Sequence, residues 1–280
     1  MSKGVLYIAS GEAYIEEATV SAESLKRHNP SLPVTLYTNE DVDYEIFDDI
    51  VYVEKSLENW GDSILSDIHF PYDKNLYLDA DTFILDDITE LFKVLDTTNL
   101  CLAHDYSRGR YNSEMYNNID CDIPSTFPEY NTGVMAYNKC QEIKNLFNFW
   151  NGKYFSYDHD RNQPAFRISL YESDTQFVTI PPEYNFRTDR IGYACGKIKI
   201  LHKCSEDANR SELAHFAEVV NSGDGKRVIT WGDYPCSVVP ESSVSKQYKL
   251  KSLNHKGKKI LENEGIVPLF QSVLKKFSPY

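Results

Sequence analysis

Short apolar runs alternate with amphipathic helical segments over the first half of the chain. Val5–Ala9 has the length of a buried strand, and the apolar residues after it recur at three- and four-residue spacing, which predicts an amphipathic helix. These helix positions are Ile15, Ala18, Ala22 and Leu25. Further apolar runs predict strands at Val34–Tyr37, Ile50–Val53, Leu76–Leu78, Cys101–His104 and Val134–Tyr137. The repetition of strand, helix and strand predicts an α/β fold, with a mostly parallel sheet covered by helices on both faces.

The second half of the chain is less regular. Its pattern predicts helices at Ile143–Trp150, Ala165–Tyr171 and Ser211–Val220, and strands at Phe177–Ile180 and Lys197–Leu201. The pattern weakens around Trp231–Pro240, before a lysine-rich segment. We therefore expect one main domain over residues 1–235 and a basic C-terminal extension, helical in part, over residues 236–280.

The composition is that of a folded protein with an acidic surface. Hydrophobic residues make up 41% and aromatic residues 13% of the 280 positions, enough for a substantial core. The net charge of −13 argues against general binding to nucleic acid. The segment from Glu241 to Tyr280 is the exception, with eight lysines and three glutamates. It could be a solvated helix and loop, a peripheral contact with an anionic membrane, a homodimer contact or a lid.

Location and redox state follow from what the sequence lacks. No apolar run approaches the roughly 20 residues of a membrane span, and the N-terminus has no charged-then-apolar signal pattern. The six cysteines form no close CxxC pair, which argues against a zinc knuckle or a disulfide framework. We expect buried, reduced thiols in a cytoplasmic protein.

Two carboxylates follow the predicted strand Leu76–Leu78. Asp79 and Asp81, separated by Ala80, lie where the strand leaves the core, and open α/β sheets bind ligands outside the carboxyl ends of their strands. The pair could be only a solvated acidic turn. If it is functional, a cation must offset its repulsion, and oxygen ligands suit Mg²⁺ or Mn²⁺. That interpretation predicts a metal site that holds a phosphate-bearing substrate.

Four other blocks accompany the carboxylate pair in the chain. In order, the five blocks are Val5–Ser10 with Tyr14, Tyr77–Thr82, Tyr130–Asn138, Asn162–Arg167 and Ile200–His202. They resemble glycosyltransferases of the GT-A fold, especially the glycogenin-like family 8 and its nucleotide-diphospho-sugar transferase relatives, whose motifs read YLDADT, FNSGVMLIN and DQPALR. The resemblance covers about Gly4 to His202, and the order of the blocks is more specific than any one motif. It implies a Rossmann-like GT-A catalytic domain with a C-terminal appendage.

The resemblance also implies a metal centre and a donor. Asp79, Asp81 and His202 would hold a divalent metal that bridges the diphosphate of a UDP- or GDP-sugar. Because imidazole prefers transition metals, this mixed set favours Mn²⁺ over Mg²⁺. By itself, His202 would be interpreted as a hydrogen-bonded histidine at a strand end, and it is its position after Ile198–Leu201 together with the resemblance that makes it a candidate ligand.

The donor nucleotide is expected near the end of the first strand. Small residues there let backbone N–H groups approach a nucleotide, and Tyr14 could stack on the base, although an ordinary βα turn fits equally well. The family's usual basic residue before the metal strand is not evident, and Lys203 is a candidate to replace it. The residues expected to bind the donor are Ala9, Ser10, Tyr14, Asp62, Asp79, Ala80 and Lys203.

The sugar side of the site is expected from three other residues. Asn131 offers a donor and an acceptor to sugar hydroxyls, and Gln163 would face the donor sugar. Asp105 ends the strand Cys101–His104 and is a further catalytic candidate. Gly133 would allow close approach of a substrate, or simply a tight entry into a strand. Asn162 departs from the family's Asp-Gln pair, so the acidic sugar contact at that position is lost.

These residues predict transfer of a sugar to a glycan or another hydroxyl acceptor. Retention of anomeric configuration is favoured because no obvious carboxylate base is present. A nucleotidyltransferase usually has basic residues in its first loop, which Ser10–Ala13 lacks. A haloacid-dehalogenase-like phosphatase has Thr or Val where this chain has Phe83, and its motif lies on the first strand. A non-catalytic sugar-binding protein would not need both metal carboxylates.

Overall fold

The structure is a computed structural model that describes residues 1–53, 70–106, 122–124, 126–157, 161–202, 217–222, 225–230 and 237–240. The strands, numbered along the chain, are β1 (Lys3–Ile8), β2 (Val34–Thr38), β3 (Asp49–Tyr52), β4 (Lys74–Leu78), β5 (Thr82–Ile84), β6 (Leu100–His104), β7 (Tyr130–Asn138), β8 (Val178–Thr179), β9 (Phe186–Arg187), β10 (Gly192–Ala194), β11 (Ile200–His202), β12 (Arg227–Thr230) and β13 (Ser237–Pro240). The helices are α1 (Glu12–His28), α2 (Glu90–Val94), α3 (Gln141–Ser156) and α4 (Gln163–Glu172).

Seven strands form the central sheet, in the order β3-β2-β1-β4-β7-β6-β8. Neighbouring strands are parallel except around β7, which is antiparallel to both β4 and β6. The mostly parallel sheet predicted from the sequence is therefore confirmed. Because β7 alone is reversed, its first residues lie at the edge where β1, β4 and β6 end.

Helices cover both faces of this sheet, as predicted. Side chains alternate along β1, so that Val5 and Tyr7 pack with α1 and α2 while Leu6 packs with α3 and α4. The helix spacing read from the sequence is also confirmed, because all four apolar positions of α1 are buried in the first of these cores.

Strands of the second half of the chain form two small sheets over a third core, β10-β12-β13 and, together with β5 of the first half, β5-β11-β9. The predicted helices at Ile143–Trp150 and Ala165–Tyr171 lie within α3 and α4. Of the helix predicted at Ser211–Val220, residues 217–220 are described and helical. The extension begins with β13, paired with β12. Residues 241–280 lie outside the described residues, so the domain boundary, membrane contact and dimer contact stay predictions.

The described cysteines only partly meet the expectation from the sequence. Cys101, Cys140 and Cys195 are free thiols, but only Cys101 is buried, and Cys195 is exposed because it lies in the bend after β10. Among the described residues, no helix is both long and apolar enough to cross a membrane. The cytoplasmic location stays a prediction.

Candidate functional site

Asp79, Asp81 and His202 come together at the carboxyl end of β4. One potential ligand atom from each side chain lies within 4.8 Å of the others. The His202 Nε2 atom is 3.4 Å from Asp79 Oδ2 and 3.3 Å from Asp81 Oδ1. Antiparallel pairing of β11 with β5 places His202 opposite Thr82, directly after the two aspartates. The three residues predicted as metal ligands thus form one cluster.

The turn that holds the carboxylates is fixed from several sides. The Tyr77 hydroxyl donates to Asp79 Oδ1 at 2.8 Å, and the Asp79 amide donates to the Gly133 carbonyl at 2.8 Å. Behind the turn, the Thr82 hydroxyl donates to the Asp79 carbonyl at 2.8 Å and lies 2.8 Å from the Ser21 hydroxyl of α1. The Asp79 carboxylate is therefore oriented before any ligand binds.

Gly133 of β7 leaves room for the side chains of the cluster, because it has no side chain of its own. A Cβ atom added there would overlap His202 Cε1 and Asp79 Oδ2 and would lie 2.8 Å from His202 Nε2. The glycine is therefore explained by the close approach of the His202 and Asp79 side chains to the backbone of β7, and its contact with a substrate stays a prediction.

The chemistry of the cluster fits a divalent metal. The His202 Nδ1 atom lies 2.7 Å from the side-chain amide oxygen of Asn185, Oδ1, which only accepts hydrogen bonds, so Nδ1 carries a proton. In the neutral ring, the Nε2 lone pair then faces the two carboxylates. Two carboxylate oxygens and one imidazole nitrogen suit Mn²⁺ and similar ions.

Without a metal, the two aspartates change the titration of His202. Burial alone would lower the pKa of His202, but the charges of Asp81 and Asp79 outweigh that effect and raise the pKa to about 9. The proton on Nε2 then takes the place that a cation would occupy.

We expect the metal-free protein to lose stability between pH 6.5 and 9. Because the folded-state pKa is above the unfolded value, protonated His202 stabilises the fold fully below pH 6.5, and this stabilisation of a few kcal/mol is lost as the pH rises through 9. Denaturant titrations of chelator-treated protein at several pH values measure the effect. His202→Gln serves as the control and should show a smaller pH dependence. An equal dependence in both proteins would contradict the assignment.

A chain of hydrogen bonds runs from His202 into the site. The Asn185 amide donates to Asn131 Oδ1 at 2.8 Å, and Asn131 Nδ2 lies 3.4 Å from Gln163 Oε1. Gln163 Nε2 in turn donates to Glu129 Oε1 at 2.6 Å. The structure thus brings Asn131 and Gln163 together with the metal cluster. Asn185 and Glu129 were missed by the sequence analysis, and the one available signal was that Glu129 directly precedes the block Tyr130–Asn138.

Asp105 joins the same group of residues from the end of β6. It is nearly buried, and its Oδ2 atom lies 3.4 Å from Asn131 Nδ2 and 3.9 Å from Arg187 Nη1. Arg187 also donates two hydrogen bonds of 2.9 Å to Asp189. Burial alone would lower the pKa of Arg187, but the charges of Asp189, Asp105 and Asp81 outweigh that effect and raise the pKa above its ordinary value. The guanidinium therefore keeps its positive charge beside the site. Arg187 and Asp189 were also missed, because no motif marks them.

Ala9 and Ser10, two of the residues predicted to bind the nucleotide, follow β1 and lie at the same sheet edge, since β1 pairs with β4 in parallel. Ala9 is buried and the Ser10 hydroxyl donates to Asn39 Oδ1. Gly11 has a φ of 80°, which L side chains rarely adopt, so a glycine is required in this turn. The Tyr14 side chain is 56% exposed and available for contact. Ala80 is half-buried between the aspartates, whereas Asp62 and Lys203 lie outside the described residues.

This chain is similar to known proteins in structure but not in sequence. No family model matches the chain, and no curated protein sequence matches it. Solved glycosyltransferases have a similar structure. The galactosyltransferase LgtC in complex with donor and acceptor sugar analogues has a TM-score of 0.52 and 16% identity, over 77% of this chain and 92% of that one.

Two further structures extend the comparison. An active-site Gln-to-Glu mutant of LgtC has a TM-score of 0.55 and 15% identity, over 85% of this chain and 98% of that one. The bifunctional glycosyltransferase WbbM has a TM-score of 0.51 and 13% identity, over 75% of this chain and 47% of that one. At these identities the similarity establishes the fold, which is the GT-A-type α/β fold of these glycosyltransferases.

Proposed function

We propose that this protein is a metal-dependent glycosyltransferase that moves a sugar from a nucleotide-diphosphate sugar to a hydroxyl acceptor, and that it belongs with the glycogenin-like family 8 enzymes. The observation that supports this most strongly is the cluster of Asp79, Asp81 and His202 at the carboxyl end of β4. The shared fold with LgtC, which was solved with donor and acceptor sugar analogues, agrees with it.

In this proposal the three clustered residues hold Mn²⁺ or Mg²⁺. A bound divalent cation would supply Lewis acidity to the departing diphosphate. Arg187 adds a fixed positive charge beside the cluster, and Lys203 is a second candidate for that role. Ala9, Ser10 and Tyr14 contact the nucleotide through backbone N–H groups and an aromatic ring.

The other polar residues face the transferred sugar. Asp105 and Asn131 bind its hydroxyl groups or those of the acceptor. Gln163 lies with its amide in the same group, and a glutamine belongs to the active site of LgtC as well. No carboxylate is assigned as a base, so we propose retention of anomeric configuration. The configuration of the product, measured by NMR, distinguishes retention from inversion.

Binding of metal and nucleotide together should stabilise the protein. We expect Mn²⁺ with UDP or GDP to raise the melting temperature, whereas nucleoside triphosphates or simple sugars should not, because in this proposal the site binds a diphosphate together with one cation. At a ligand concentration 100 times the Kd, the stabilisation is about 2.7 kcal/mol. Differential scanning fluorimetry measures it, with EDTA as the control.

The same assay separates the alternatives. Stabilisation by triphosphates with Mg²⁺ would favour a nucleotidyltransferase. Stabilisation without turnover, across a panel of sugar nucleotides with Mn²⁺, would favour a non-catalytic binding protein. Turnover or slow donor hydrolysis with one member of the panel identifies the donor sugar.

A further inference from the structure

Glu129 is a buried carboxylate to which the proposed function gives no role. It is 1% exposed and directly precedes β7, and its backbone carbonyl accepts a hydrogen bond of 2.9 Å from the Asp105 amide. Its side chain accepts the 2.6 Å hydrogen bond from Gln163 described above. A buried carboxyl group in contact with a candidate catalytic amide requires a physical explanation, because burying a polar group is costly unless it is hydrogen-bonded.

The orientation of the Gln163 amide follows from this contact. Glu129 Oε1 accepts from Gln163 Nε2, so the carboxyl group faces the NH₂ group of Gln163 and not its oxygen. This 2.6 Å contact is much shorter than the 3.4 Å between Asn131 Nδ2 and Gln163 Oε1, which is at the limit of hydrogen bonding. The Glu129 end therefore decides which way the amide points.

The rest of the hydrogen-bond chain has the same direction. His202 donates to Asn185, Asn185 donates to Asn131, and Asn131 Nδ2 points at the oxygens of Gln163 and Asp105. This series of hydrogen bonds starts at His202, a proposed metal ligand that donates, and ends at the carboxyl groups of Glu129 and Asp105, which accept. Each amide is thereby held in one of its two orientations.

This orientation matters for sugar transfer. The transition state is oxocarbenium-like, with positive charge at the anomeric carbon. An amide that presents its carbonyl oxygen stabilises nearby positive charge, and one that presents its NH₂ group opposes it. With NH₂ held by Glu129, the carbonyl oxygen of Gln163 remains directed at Asn131 Nδ2, which also lies 3.4 Å from Asp105 Oδ2. Asn131 and Asp105 are the residues assigned to sugar contact.

We propose that Glu129 is a positioning residue that holds the Gln163 amide with its carbonyl oxygen toward the transferred sugar. This inference rests on the proposed function for the identity of the reaction. The role of Glu129 toward Gln163 does not depend on turnover and is tested separately.

The test is Glu129→Gln, which keeps the size of the side chain and allows position 129 to donate to Gln163. We expect the Gln163 amide to lose its fixed orientation, so that kcat falls roughly 10- to 100-fold while the KM for the donor changes little. Stabilisation by Mn²⁺ with UDP or GDP should persist. In ¹⁵N NMR spectra, the side-chain NH₂ signals of Gln163, assigned by their loss in Gln163→Ala, should shift and exchange faster with water.

Glu142→Gln is the matched control. Glu142, in the first turn of α3, also accepts a hydrogen bond of 2.7 Å from a side-chain amide, Asn99 Nδ2. Asn99 directly precedes β6, so this pair lies at the opposite edge of the sheet from the site. We expect this variant to keep the wild-type kcat and the wild-type Gln163 signals.

The outcomes separate the two proposals. Unchanged kcat and unchanged Gln163 signals in Glu129→Gln would overturn the positioning role and leave the proposed function intact. Loss of metal-dependent nucleotide stabilisation together with kcat would also overturn it, because that pattern is a general structural defect. If the wild-type protein turns over no donor, the proposed function fails, and the Gln163 signals still decide the role of Glu129.

Discussion

Replacing Asp81 with Asn will abolish sugar transfer and metal-dependent nucleotide binding. The substitution keeps the shape of the side chain but exchanges a charged ligand oxygen for a neutral one, in a cluster whose ligand atoms lie within 4.8 Å of each other. Loss of a group that only supports a metal ligand typically lowers metal affinity or activity 10- to 100-fold. Loss of a ligand itself should therefore lower kcat/KM at least about 100-fold, which corresponds to about 2.7 kcal/mol of transition-state stabilisation. Steady-state kinetics with Mn²⁺, and calorimetric titration with UDP or GDP, measure both effects.

Asp96→Asn provides the matched control for this experiment. Asp96 is exposed and pairs with Lys74 at 2.5 Å, at the opposite end of β4 from the cluster. The same chemical change there should leave kinetics and nucleotide binding at wild-type values. Wild-type turnover in Asp81→Asn would refute the assignment of the metal site.

We expect one methyl group added at Gly133 to close the proposed metal site. The new Cβ atom would overlap His202 and Asp79. Neither side chain can move freely, because His202 is hydrogen-bonded to Asn185 and Asp79 is hydrogen-bonded to Tyr77. We expect Gly133→Ala to lower the affinity for Mn²⁺ at least about 10-fold and to destabilise the metal-free protein by about 1–3 kcal/mol. Metal titrations followed by calorimetry, together with denaturant unfolding, measure these two changes.

Gly152→Ala makes the same chemical change where there is room. Gly152 lies inside α3, and an added Cβ would meet nothing within 4 Å. Because glycine weakens a helix by roughly 0.5–1 kcal/mol relative to alanine, this variant should be slightly more stable than the wild type and should bind metal equally well. Unchanged Mn²⁺ affinity in Gly133→Ala would show that the ligands do not converge beside that residue.

The sequence identified those parts of the site that lie next to a strand end. Asp79 and Asp81 follow β4 directly, and Asp105 follows β6, so the strand pattern alone was enough to mark them. Gln163, at the start of α4, was predicted only through the family resemblance, whereas Glu129, Asn185 and Arg187 were missed although each lies in or next to a strand. Asn185 and Arg187 lie in an irregular segment around the short strand β9, where neither period nor motif distinguishes functional from solvent-exposed polar residues.

Local physics determined the elements of this fold. Burial of apolar side chains away from water is favourable. Apolar residues that recur with a period of two specify strands, and those that recur with a period of about 3.6 specify helices, before any long-range contact forms. The sequence by itself therefore determined the strands of the central sheet, the helices α1, α3 and α4 on its faces and the aspartates at the end of β4. The five-residue helix α2 was not predicted, because it is too short to show a clear period. Only the tertiary structure decided that β7 is reversed, because the direction of a strand depends on the path of the chain between elements. That reversal brings Glu129, Asn131 and Gly133 to the carboxylates, and the pairing of β11 with β5 brings His202 to complete the cluster around Asp79-Ala80-Asp81.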